Sequence, residues 1–136
     1  MKKIYLILIL IGILVIAGCG SKQSSESDQI NDQGVPKPIG NIIEIGSTGF
    51  SPNELRVNAG DTVTFVNKDT IEHWPASAVH PTHAVYPEAG GCIGSKFDAC
   101  KGLKQGESWS FTFTQKGTWG YHDHLNPDLR GKVIVQ

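Results

Sequence analysis

The chain has a single methionine in 136 residues, and it is Met1, ahead of the part that folds. The folded domain therefore has no thioether to offer a metal. Basic residues are few and stand singly: Lys and Arg number 12 against 13 Asp and Glu, for a formal net charge of -1. Nothing there builds the positive face that nucleic acid needs, and no nucleic-acid partner is expected. Helical periodicity is missing throughout, and no internal repeat recurs. There is no Ser-His-Asp order, phosphate-binding glycine loop or P-loop lysine, so triad hydrolysis and nucleotide chemistry are set aside.

Cysteine is scarce as well, with three in the chain, and the first belongs to an export segment. Lys2 and Lys3 precede an apolar run from Ile4 to Ile16, which ends in Ala17-Gly18-Cys19. A basic start, an apolar middle and small residues before a cut describe a signal peptide over residues 1–18. Ile-Ala-Gly-Cys resembles a prokaryotic lipobox, in which Cys19 becomes the acylated N-terminus. The other reading is a plain N-terminal anchor helix. Both place the domain outside the cytoplasm and beside a membrane. Residues 19–38 are polar, close on Pro36-Lys37-Pro38 and read as a flexible linker behind the lipidated Cys19. Loss of Lys2 and Lys3 would take the net charge from -1 to -3.

The remaining residues, 39–136, form one domain near the lower end of what a single hydrophobic core supports. Runs rich in β-branched and aromatic residues, cut by Gly, Asn and Pro, predict an all-β sandwich. Strands are expected at residues 41–46, 54–58, 62–67, 108–114, 118–122 and 131–135. In Ser108 to Thr114, Trp109, Phe111 and Phe113 alternate with Ser and Thr, the period of a half-buried strand. Val63, Phe65, Phe111, Phe113, Trp119 and Val133 are the expected core. The stretch from Glu72 to Gly106 has little periodicity, yet it holds three of the five histidines and both remaining cysteines. A loop that long in a small domain is usually functional. Cys92 and Cys100, in an oxidising compartment, suit a disulfide; closing that loop is worth roughly 2.5 kcal/mol in the chain-entropy account. The alternative is a pair of soft Cu(I) ligands.

Leu55-x-Val57-x-x-Gly60-Asp61-x-Val63-x-Phe65-x-Asn67, followed by His73, resembles the first half of the cupredoxin pattern. Gly106-Glu107-Ser108, Phe111-Thr-Phe113, Gly117-Thr-Trp119-x-Tyr121 and Gly131-x-Val133-x-Val135 resemble the second half. The resemblance covers nearly all of Ile42 to Val135 and implies a Greek-key, cupredoxin-like β-sandwich. It places His73 at the family's first copper-binding histidine. The other three ligands do not carry over: Asp123 stands at the Cys position, Asn126 at the His position and Leu129 at the Met position. Without thiolate or thioether, a metal site must be of a non-blue kind. Trp119-Gly-Tyr121-His122-Asp123-His124 is similar to the W-Y-H-x-H strand of multicopper oxidases, where two such histidines bind copper.

All five histidines fall in two segments: His73, His80 and His83 in the long loop, and His122 and His124 on a strand. On a regular strand His122 and His124 share a face, about 7 Å apart. His73 is expected to add a third nitrogen and His83 or His80 a fourth. In rank, His122 and His124 come first, His73 and His83 next, and His80 and Asp123 last. Imidazole suits Cu(II) and Zn(II); Cu(II) is the expected ion, zinc the alternative. The register poses a conflict. If Tyr121 faces the core, Asp123 faces inward beside His73, and the His-x-His pair faces outward.

The main expectation is a membrane-anchored, extracytoplasmic copper-binding protein with a His-rich site. Its work would be copper handling or a redox-associated role, with a copper donor, copper acceptor or redox protein as partner. A small copper oxidase or superoxide-scavenging enzyme, and a metal-free binding module on the same sandwich, are the alternatives.

Overall fold

The computed structural model describes residues 40–136. The signal peptide, Cys19 and the linker lie outside the described residues. Ten strands follow in chain order: β1 (Ile42–Gly46), β2 (Gly49–Ser51), β3 (Glu54–Val57), β4 (Thr62–Asn67), β5 (Pro75–Ser77), β6 (Ala89–Gly90), β7 (Gly94–Ser95), β8 (Ser108–Thr112), β9 (Gly117–Asp123) and β10 (Asn126–Val135). Two four-stranded sheets, β2-β1-β4-β8 and β3-β10-β9-β5, enclose the core, and β6 and β7 form a separate small hairpin. β1 pairs parallel with β4, and β3 parallel with β10. The chain therefore crosses between sheets rather than meandering, as a cupredoxin-like sandwich requires.

Alternation explains most of the packing. Ile43 and Ile45 on β1, Val63 and Phe65 on β4, and Val133 on β10 are fully buried, with polar or exposed neighbours between them. Phe113, just past β8, is also fully buried, while Trp109, Phe111 and Trp119 are partly buried and pack against the cluster. The expected strands appear, with two adjustments. β10 starts at Asn126 instead of Gly131, and its pairing with β9 shifts between Asn126 and Arg130, so residues 127–129 bulge out of the ladder. Within the long loop, β5 adds to the edge of β9.

That loop also contributes core residues that its lack of periodicity hid. Tyr86, Phe97 and Leu103 are buried. The Phe97 ring lies 4.9 Å from Phe113, 5.1 Å from Phe111 and 5.7 Å, stacked, from Trp109, so it plugs the space between the sheets. The Cys92–Cys100 disulfide is present, with Cα atoms 5.5 Å apart, and brackets Phe97. Asp98, inside the same loop, accepts from the Cys92, Ile93 and Cys100 amides and from the Trp74 indole. One carboxylate thus fixes the loop against the segment that carries His73.

Candidate metal centre

Tyr121 is buried against Phe50 and Phe65, and strand alternation then assigns every residue after it. Asp123 is fully buried on the same inner face. One of its oxygens lies 2.7 Å from Nδ1 of His73, and the other accepts from the Trp74 and Leu125 amides. Nε2 of His73 lies 3.3 Å from Asp69 Oδ2. Asp69 is held below the usual carboxylate range, first by the Thr70 amide and then by His73. His73 is further tied at its backbone to Leu103, and Asn67 donates to the carbonyls of Ile71 and Leu103. Where the resemblance to cupredoxins implies a histidine and a cysteine, this chain has a histidine between two carboxylates.

His122 and His124 point to the other face. There they meet a turn from the long loop, in which the His83 amide donates to the Val79 carbonyl and the Val85 amide to the Ala78 carbonyl. Those bonds turn His80 and His83 back onto the strand. His83 takes a left-handed backbone, φ 47°, which costs a non-glycine residue energy that the surrounding contacts must repay. Gly94 of the β6–β7 hairpin lies against the same turn, and any Cβ there would overlap the Thr82 carbonyl. The hairpin thus holds the turn down from outside.

The result is a cluster of four imidazoles. Ring centroids are 4.3 Å apart for His80–His83, 4.8 Å for His80–His122, 5.0 Å for His83–His122 and 5.0 Å for His83–His124. Each histidine offers one ring nitrogen such that all four lie within 4.8 Å of one another. Nitrogens bound to a common ion at about 2 Å stand roughly 3–4 Å apart, so small side-chain rotations bring the set to a metal. Nδ1 of His83, Nε2 of His122 and Nδ1 of His124 are buried with no hydrogen-bond partner. Burial, then the neighbouring imidazoles His80, His83 and His124, and then Arg130, push His122 down to about 4. His83 is lowered too, by burial and then by His80 and His124. Neutral imidazoles with free lone pairs are the form a metal requires.

The structure thus brings together His80, His83, His122 and His124 and leaves His73 and Asp123 apart, on the opposite side of β9. The sequence ranks His73 above His80; of the two, His80 is the one that lies in the cluster. Strand alternation is the reason: side chains at 122 and 124 cannot share a face with 123. His80 and His83 were readable as a pair three residues apart, but their approach to β9 depends on a turn with no sequence period. Arg130, which reads as a surface charge, stands directly across from His122 in the β9–β10 register. Cys92 and Cys100 are bonded to each other and lie in a separate group with Asp98.

Residues 39–136 match the family of copper binding proteins described as plastocyanin/azurin. The chain belongs to that family. It is 35% identical over 97 residues to amicyanin of Paracoccus denitrificans, covering 70% of this chain and 64% of that protein. It is 32% identical over 94 residues to the chloroplastic plastocyanin of Hordeum vulgare, covering 63% of this chain and 54% of that protein. The chain thus spans less than two thirds of the length of these relatives. Among solved structures, a purple cupredoxin from Nitrosopumilus maritimus aligns with a TM-score of 0.57 at 22% identity, over 70% of this chain and 98% of that one, a likeness of fold. A Cu(I) form of an amicyanin mutant aligns with a TM-score of 0.57 at 31% identity, over 71% of this chain and 82% of that one.

Copper is therefore the ion the family implies, and the described residues fit it unevenly. The family's blue position does not: it offers no thiolate or thioether, and the His73 nitrogen facing it is engaged by Asp123. The four-histidine cluster does fit, as an all-nitrogen donor set with buried, unpartnered ring nitrogens.

Proposed function

We propose that this protein binds one copper ion through His80, His83, His122 and His124, at a colourless site displaced by one strand face from the family's usual position. The observation that supports it is the convergence of four histidines from two segments, three of which, His83, His122 and His124, bury a ring nitrogen that has no hydrogen-bond partner. Leaving such groups unsatisfied is costly, and a metal repays that cost. Cu(II) has the largest affinity for nitrogen sites in the divalent series, and Zn(II) is the competitor. The role is copper handling or buffering outside the cytoplasm. A lipid on Cys19 would tether the domain to the membrane, and a copper donor, a copper acceptor or a redox protein would be its partner. Fast electron transfer is the weaker reading, because the thiolate that makes a blue site rigid is missing.

Titrating the purified protein with Cu(II) tests this reading. One equivalent should bind, with nitrogen hyperfine structure by EPR and without an intense thiolate charge-transfer band. Replacing His122 and His124 together should lower the affinity by at least a hundredfold and leave the fold intact, whereas His73→Ala should not lower it tenfold. An intense thiolate band, or unchanged affinity in the double variant, refutes the proposal.

A further inference from the structure

The four-histidine cluster is open on one side. A cleft of about 170 Å³ is lined by Ala78, Val79, His80, His122, Pro127 and Arg130. That is smaller than the roughly 300–1,000 Å³ of pockets that hold drug-sized molecules. The bulge at residues 127–129 turns Pro127 into the cleft wall, and Nε of Arg130 donates to the Pro127 carbonyl at 2.9 Å. That bond anchors the guanidinium and, among the described residues, leaves its terminal nitrogens without an acceptor. Among the described residues no carboxylate pairs with Arg130.

Charge points the same way. Four neutral imidazoles leave the full double charge on a bound ion. Asp98 is committed to three amides and the Trp74 indole, and Asp123 to His73 and two amides on the inner face. Asp128, on the bulge beside Pro127, is not part of the cleft lining and forms no ion pair with Arg130. A divalent ion and a guanidinium without a carboxylate partner then face one small cleft whose lining, among the described residues, includes no carboxylate. His122 lines that cleft, is 3% exposed and keeps Nε2 without a partner.

We infer that this cleft is a binding site for a small inorganic anion, which ligates the metal beside His80 and His122 and accepts hydrogen bonds from Arg130. The inference rests on the copper reading above. Cu(II) takes a tetragonal set readily and so accepts an additional ligand beyond four nitrogens. The planar fork of Arg130 suits an anion with two acceptor atoms better than a point charge would. A cleft of this kind admits nitrite, superoxide, azide or a halide alike, and the shared chemistry is a small monovalent anion with a lone pair for the metal.

Azide serves as the probe. The purified protein is first titrated with Cu(II), then the copper-loaded form with azide, following the azide-to-copper charge-transfer band and the change in EPR. Wild type should bind azide saturably. Arg130→Gln should keep its Cu(II) affinity within threefold and bind azide about tenfold more weakly, the scale of one lost charge-assisted hydrogen bond. Arg130→Lys should fall between the two. Failure of wild type to take up Cu(II) overturns the copper reading itself. Normal Cu(II) uptake with no azide binding, or with equal azide affinity in wild type and Arg130→Gln, overturns the anion site alone.

Discussion

A histidine whose proton affinity drops on folding makes the metal-free protein acid-sensitive, and His122 is such a residue. Its ordinary value of 6.5 falls to about 4 in the folded state, chiefly through burial. Between those values the unfolded chain holds a proton that the folded chain does not, so stability rises with pH across this window and falls on acidification. Integrating over the two states gives a loss of about 1.8 kcal/mol between pH 7 and pH 5 for this one group. Some relaxation of the Val79–His83 turn would admit water and bring that to about 1–2 kcal/mol. The clean measurement compares wild type with His122→Asn, which removes the titration while leaving every other group in place. Urea unfolding in the presence of a chelator, at pH 7 and pH 5, gives four free energies whose double difference isolates His122. Wild type should lose about 1–2 kcal/mol more than the variant. A double difference below about 0.5 kcal/mol, within the scatter of additive sites, would show that the ring is not desolvated as described.

Two further outcomes follow from the packing. Phe97→Ala empties the space between the sheets and should cost about 3–5 kcal/mol by chemical denaturation; a loss under about 1 kcal/mol would mean the long loop is not part of the core. Replacing Cys92 and Cys100 together with Ser should cost roughly 2.5 kcal/mol while Cu(II) affinity stays within threefold. Loss of copper binding with the fold intact would make the cysteines ligands after all.

Much of the sandwich was legible because its strands obey a period of two. Val63, Phe65, Phe113 and Val133 declare their faces by spacing alone, and all four are fully buried. Phe97, Tyr86 and Leu103 were not legible, because they sit in an aperiodic loop whose path is set by Asp98, by the disulfide and by β5 pairing with β9. The candidate site divides in the same way. The outward face of His122 and His124 follows from Tyr121 being core. What the spacing does not carry is the turn that brings His80 and His83 over that face, since backbone bonds such as His83 to Val79 leave no periodic trace. Asp123 was readable as an inward neighbour of His73, but not as the acceptor that ties down two backbone amides. Its two oxygens hold His73 and the Trp74 and Leu125 amides, an arrangement that exists only once the sheets have closed.

The alternation along β9 also bears on how such a chain can arise. Position 123 addresses one side of the sheet, and positions 122 and 124 the other, so substitutions on the two sides are sterically independent. A precursor can carry a thiolate at 123 and acquire histidines at 122 and 124 without disturbing it. The order of change is then free: the outer histidines can come first, and exchange of the thiolate for a carboxylate second. On β9 itself the exchange is a change of strand face, while the other two histidines of the cluster, His80 and His83, come from the turn of the long loop.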